Sequence, residues 1–191
     1  MRVLTAALMA LMTLAQAQAQ AEPVRDPPAA AVEAERRAVL ETLYAALAAS
    51  GGSAEAQAVA DRIWQVWFMA PDAEAQALLD RALERRRYGD FDASIAVLDR
   101  LIAGWPAYAE GWNQRATLFY LQERYEASLA DVVEVLAREP RHFGALAGRA
   151  IILLRQGRRD AGQRALLAAL RVHPWLAERR LLDPAYGEEP L

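Results

Sequence analysis

The chain repeats itself. Gly89-Asp90-Phe91-Asp92-Ala93-Ser94-Ile95 returns one repeat later as Glu123-Arg124-Tyr125-Glu126-Ala127-Ser128-Leu129. Pro106, Pro140 and Pro174 stand 34 residues apart, as do Arg81, Arg115 and Arg149, each followed by Ala. A period of this length marks a solenoid, in which a helical hairpin too small to bury its own apolar face stacks on copies of itself. From Val32 nearly to the end the apolar residues recur at helical steps, and β-type alternation is missing.

Several chemistries are closed to such a chain. All 22 basic residues are Arg, so a Schiff base, a P-loop and a Lys general base lack their amine. There is no Cys, hence no disulfide, thiolate site or lipid-bearing N-terminal Cys. A net charge of −3 gives no basic footprint for nucleic acid. An apolar fraction of 54% supports a core rather than disorder. His142 and His173 fall near inter-repeat loops, where each reads as a loop or helix-C-terminal residue, and neither belongs to a metal motif. The carboxylates alternate with Arg as solvated helix faces do. The expectation is no catalytic residue, no metal and no cofactor.

The N-terminus reads as a secretory leader over 1–21. Met1-Arg2 is the charged end, Val3–Leu14 the apolar run, and Ala15 to Ala21 offers overlapping A-x-A sites, with cleavage after Ala19 or Ala21. The run is too short to span a bilayer, and no later segment is apolar enough, so an exported chain is expected, periplasmic in a Gram-negative cell. Residues 22–31, with Pro23, Pro27 and Pro28, read as an extended linker. Residues 32–71 read as a helix pair divided at Ser50-Gly51-Gly52-Ser53, with Ser53 as N-cap of the second helix. Its apolar stripe (Val39, Leu40, Leu43, Tyr44, Leu47) suggests a degenerate, capping repeat. Residues 75–182 hold three hairpins and a short C-terminal helix from Trp175, and 183–191 reads as a frayed tail. Gly89 and Gly157 suit a left-handed turn residue; Glu123 fills the same place at greater cost.

The middle unit carries Ala109-Glu110-Gly111-Trp112-Asn113, then Ala116, Tyr120, Tyr125, Ala127-Ser128, Val132, Val135-Leu136 and Pro140. In these residues the chain resembles the tetratricopeptide repeat over about 75–174. The flanking units depart from it: Leu78 and Leu146 replace Trp112, and Arg159 replaces the turn aromatic. The resemblance implies an all-α, right-handed solenoid of about three repeats, with a degenerate N-terminal helix pair and a C-terminal capping helix. It further implies a concave face lined by the first helix of each repeat, which binds a protein or peptide.

Carried over by position, that lining is Leu79, Leu83, Arg86 and Arg87, then Asn113, Thr117, Tyr120 and Leu121, then Ala147, Ile151, Leu154 and Arg155. Asn113 could hold a peptide backbone, and Tyr120 offers a flat anchor with a polar tip. Where the family keeps Leu, this chain has Arg81, Arg115 and Arg149, a candidate ladder that either pairs with local carboxylates or receives an anion. With no Lys, the clamp that some members use for acidic C-termini is not expected. Trp64 and Trp67 share one helix face, as a core anchor or as an exposed patch. The leading expectation is an exported adaptor. The rivals are a self-associating envelope protein, an anion or small-molecule binder, and a groove-carboxylate hydrolase.

Overall fold

A computed structural model describes residues 29–186; the leader and most of the Pro-rich linker lie outside them. Contacts divide the chain after Glu35, and the second unit, Arg36–Leu191, holds all but the opening of the first helix. Among the described residues the helices are α1 (Ala29–Ala49), α2 (Ser53–Phe68), α3 (Ala73–Arg87), α4 (Phe91–Gly104), α5 (Ala109–Leu121), α6 (Tyr125–Arg138), α7 (Phe143–Arg155) and α8 (Arg159–Val172). Two short 3-10 segments, Ala177–Leu181 and Pro184–Tyr186, follow, and no strand is present among the described residues. Two local expectations shift. Helix begins at Ala29, inside the supposed linker. The N-cap of α2 is Gly52, with Ser53 as the first helical residue and no side-chain cap; Glu55 Oε2 instead accepts from Gly51 N–H at 2.8 Å.

Helices α3–α4, α5–α6 and α7–α8 form three hairpins built alike. In each, a small residue sits where the two helices cross. Ser94 donates to the Ala82 carbonyl and Ser128 to the Ala116 carbonyl, both at 2.7 Å. Gly162 takes the third place, where a side chain would stand 2.7 Å from Leu154. The turns also match. Gly89, Glu123 and Gly157 adopt φ of 76°, 59° and 71°. In each turn the left-handed residue donates three back and its successor five back, as Asp90 N–H does to Arg85 O at 3.0 Å. This pattern satisfies the free carbonyls at the helix end. Each second helix then stops one residue before a proline, at Trp105, Glu139 and His173.

Stacking buries what a hairpin alone would leave wet. Leu118 of the second hairpin joins the core of the first, with Leu79, Leu98 and Leu101. Ala145 of the third joins Ala116, Val132 and Val135 of the second. The last hairpin is covered by Leu176 and Leu182. The segment between them is 3-10 rather than α, because it serves the preceding helix: Gln163 donates to Leu181 O and accepts from Asp183 N–H, each at 3.0 Å. The supposed tail is held through Tyr186, where Arg159 pairs with Asp183 and Tyr186 O–H donates to Asp160.

The α1–α2 pair departs most from a capping repeat. Its core, from Arg36 onward, unites Leu40, Leu43, Tyr44, Leu47, Ala56, Ala60, Ile63 and Trp67 with Phe143 of the third hairpin, and Val172 and Leu176 pack on it. Only its last residues, Phe68 and Ala70, reach the first hairpin's core. Helix α2 also touches α5. The reason is aromatic. The rings of Trp64 and Trp67 find partners at the start of α7, about 75 residues away in sequence.

The left-handed turn residue Glu123 is exposed and carries a side chain where its two counterparts carry none. A left-handed conformation costs an ordinary residue roughly 1 kcal/mol, partly offset by the greater unfolded-state entropy of Gly. Glu123→Gly is expected to raise stability by about 0.5 kcal/mol, read as a higher urea midpoint at unchanged slope; a lower midpoint would show that the Glu123 side chain supports the turn.

Candidate partner-binding surface

The first helices α5 and α7 lie against each other, and α4 and α6 join each hairpin to the next. Together α5 and α7 make a face, which α3 joins where Arg86 reaches Gln114. That face divides into a covered end and an open end.

The covered end is the N-terminal part of α5 and α7. Here Glu110 is 1% exposed, Asn113 6% and His142 0%, values of a core rather than of a surface. The cover is α2. His142 lies flat on Trp67, with ring centroids 3.8 Å apart and planes 9° from parallel, and Trp64 meets His142 and Phe143 edge-on. Tyr108 O–H donates to Trp67 O at 3.0 Å. At the rim Arg141 pairs with Glu41 and lies 3.9 Å over the Tyr44 ring. Trp175 Nε1–H donates to Ser50 O at 3.1 Å.

Beneath α2 runs a hydrogen-bonded chain. The Glu110 carboxylate accepts from Asn113 at 3.0 Å, from Gln114 at 2.5 Å and from His142 Nε2 at 3.2 Å. Arg86 donates to Gln114 Oε1 at 2.8 Å. His142 Nδ1 is committed as acceptor to Ala145 N–H at 3.1 Å, which leaves Nε2 as the donor to Glu110. His142 is thus the N-cap of α7, not a loose loop residue. These contacts meet the rule that a buried polar group must be bonded. Asn113, expected to hold a peptide, is occupied inside the molecule. Glu110, Gln114 and the burial of His142 were not foreseen, and no local signal announces them, since the covering rings come from a distant segment.

The open end holds the rest. Thr117 bonds only its own helix, to Asn113 O at 2.9 Å. Leu83 packs half-buried on the first core. Tyr120 is half-buried, 6.1 Å from the Tyr125 ring, with the exposed Arg155 guanidinium 5.3 Å over its face. Arg87 lies 5.4 Å over Tyr88, which is 73% exposed, and Leu121 is 45% exposed. Neither Arg87 nor Arg155 makes an ion pair among the described residues. The C-terminal ends of the first helices thus present cations beside aromatic and aliphatic surface, and Tyr125, with the Glu123 charge behind it, pushes the Arg155 pKa upward.

Of the three repeated arginines, Arg115 pairs with local carboxylates. Arg115 makes a two-pronged bond to Asp131, at 2.7 and 2.8 Å, and reaches Asp99 at 2.6 Å. Asp131, more than burial opposes, pushes the Arg115 pKa upward, with Asp99 behind it. Arg81 and Arg149 are exposed and lack this arrangement. Among the described residues no group of three His, Asp or Glu stands within reach of one metal ion, and no helix is long and apolar enough to cross a membrane.

Two outcomes follow from these contacts. Arg115→Ala leaves the buried Asp131 carboxylate without its partner and is expected to cost about 3 kcal/mol, whereas Arg81→Ala and Arg149→Ala should change stability by less than about 0.5 kcal/mol; urea midpoints separate the cases, and equal losses would support the ladder. His173 caps α8, buried edge-on to Phe143, with its Nδ1 unbonded. Burial pushes its pKa below the usual value, against a small opposing pull from Glu178. The unfolded chain therefore takes up the proton first, so the His173 contribution is intact above about pH 6.5 and is lost as pH falls below it. The melting temperature should drop between pH 7 and pH 5, and His173→Leu should flatten that drop; an unchanged slope in the variant would locate the titration elsewhere.

No protein-family model matches the chain. A TPR repeat-containing protein of Rhizobium etli is 36% identical over 138 residues, 71% of this chain and 66% of the relative, so the chain spans just under two thirds of that relative's length. Among solved structures, the second TPR domain of Spaghetti (RPAP3), bound to the HSP90 peptide SRMEEVD, superposes with a TM-score of 0.51 at 20% identity, covering 53% of this chain and 94% of that one. The fold is a TPR-like helical solenoid, and in both sequence and fold the chain is similar to tetratricopeptide-repeat proteins.

Proposed function

We propose that this chain is an exported tetratricopeptide-repeat adaptor that binds a protein or peptide on the face made by its first helices. The observation that carries this reading is the open end of that face. Arg87 and Arg155 stand outside any ion pair among the described residues, beside Tyr88, Tyr120 and Leu121. Arginine and tyrosine are the residues on which interface energy concentrates, and an exposed cation over an aromatic face is stabilised further when a partner excludes water from it. The partner segment this surface suits is acidic and carries at least one apolar side chain, bound through charge-assisted bonds from Arg87 and Arg155 and contact with Tyr120. A peptide bound to the structurally similar TPR domain supports the class of ligand. Export rests on the charged, apolar and A-x-A pattern of residues 1–21.

The test is capture from an envelope extract by the chain beginning at Glu22, beside Tyr120→Ala/Arg155→Ala. Arg155 is exposed and Tyr120 half-buried outside the apolar cores, so the variant should stay folded, with a melting temperature lower by a few degrees. A partner retained by the parent and reduced about tenfold or more in the variant, equivalent to about 1.4 kcal/mol, supports the reading. Equal capture by both moves the site to another face. N-terminal sequencing of the protein from the periplasmic fraction should begin at Gln20 or Glu22; recovery of the intact leader in the cytoplasm would overturn export.

A further inference from the structure

The covered end of the first-helix face has the chemistry of a surface, yet it is shut away. Its residues are a carboxylate, two side-chain amides and an imidazole, bonded among themselves and to Arg86. A segment that evolved only as core would hold apolar groups there, because burying a carboxylate forfeits hydration that neutral partners replace only in part. By repeat register, Glu110 and Asn113 share a helix face with Thr117 and Tyr120 of the open end. The polar floor is continuous with the open face, and α2 lies across one half of it.

From Arg36 onward the cover belongs to the same compact unit as the solenoid. The α1–α2 side chains Leu40, Leu43, Leu47, Ala56, Ala60 and Ile63 form one core with Tyr44, Trp67 and, from the third hairpin, Phe143. The pair joins α3 through residues 69–72 alone, of which Pro71 is one. Its grip on the solenoid centres on two indoles, Trp64 and Trp67 on His142, Phe143 and Gly144. Val172, Leu176 and Phe68 add apolar contact, and the polar ties are Tyr108 O–H to Trp67 O, Glu41–Arg141, Tyr44 O–H to Arg141 O, and Trp175 to Ser50 O. The fit at the centre is close. A methyl group on Gly144 would stand 2.7 Å from the Trp64 ring, so position 144 must be bare for the indole to seat.

We propose that the starts of α5 and α7 form a docking site for an amphipathic helix presenting two aromatic rings three residues apart, that α2 is its resident occupant, and that a partner helix of this pattern reaches it by displacing the α1–α2 pair. The inference deepens the adaptor reading and rests on the first-helix face as the partner surface. Stacking on His142 and an edge-on ring against Phe143 select the aromatic pair. Bare Gly144 selects the flat ring over a branched side chain. Glu110, once uncovered, sits where it can accept from a donor on the incoming helix.

Hydrogen exchange on the full chain tests the displacement without any partner. Amides of α1 and α2 should exchange together through a partial opening, about tenfold or more faster than those of α5–α8, and Gly144→Ala should speed the α1–α2 set alone by wedging Trp64 outward. Protection equal to that of α5–α8, or a uniform loss in Gly144→Ala, would overturn the proposal. A second arm probes the site itself. A labelled peptide copying residues 53–69 should bind full-length Trp64→Ala/Trp67→Ala, whose own α2 has lost its anchors, at least about tenfold more tightly than the parent, and a peptide lacking both Trp should bind neither. Failure of the intact peptide to distinguish the two proteins would overturn the docking site. Neither result depends on the Tyr120/Arg155 capture, so the adaptor reading stands or falls separately.

Discussion

A hairpin of two short helices cannot bury both of its broad faces, and the rest of the molecule follows from that shortage. The second hairpin lends Leu118 to the core of the first, and the third lends Ala145 to the core of the second. The end of the stack has no neighbour, so the chain turns back and covers it with Leu176 and Leu182, tied down through Gln163, Asp183 and Tyr186. The α1–α2 pair answers the same need differently. Its largest side chains are satisfied by the third hairpin, and the consequence is that half of a surface normally left open is closed.

Closure changes what the polar residues do. On an open face Glu110 and Asn113 would meet water or a ligand. Under Trp67 they meet each other, Gln114 and His142, and every bond counts because the alternative is a desolvated group with no partner. Arg115 shows the same economy on another side of α5, spending its fork on Asp131 and Asp99. What stays available is what these networks leave out, namely Arg87, Arg155, Tyr88, Tyr120 and Leu121. The division between occupied and available side chains is sharper than repeat register alone would suggest.

Much of the fold was legible because its causes are local. The turn places of Gly89, Glu123 and Gly157, the proline stops, and the small residues at 94, 128 and 162 each act within one hairpin, and 34-residue spacing copies them. The candidate surface was legible in part. Register put Tyr120, Arg155, Thr117 and Asn113 on one face, and the structure keeps them there, but it buries Asn113 and selects Arg115 from three equivalent arginines for an ion pair. Neither outcome has a sequence signature. Asp131 is one acidic residue among 25, and its fitness as a partner depends on how α5 crosses α6.

The helical hairpin, its length, its turn and its tendency to stack were written in residue order, since each depends on contacts a few positions apart or on the next copy of the same pattern. The place where α2 comes to rest was not. Trp64 and Trp67 announce a large apolar load without naming its acceptor, and the acceptor is a histidine, a phenylalanine and a bare glycine at 142–144, brought within reach only after three hairpins have stacked. Long-range packing assigned the cover, and with it the boundary between the buried and the exposed halves of one polar face.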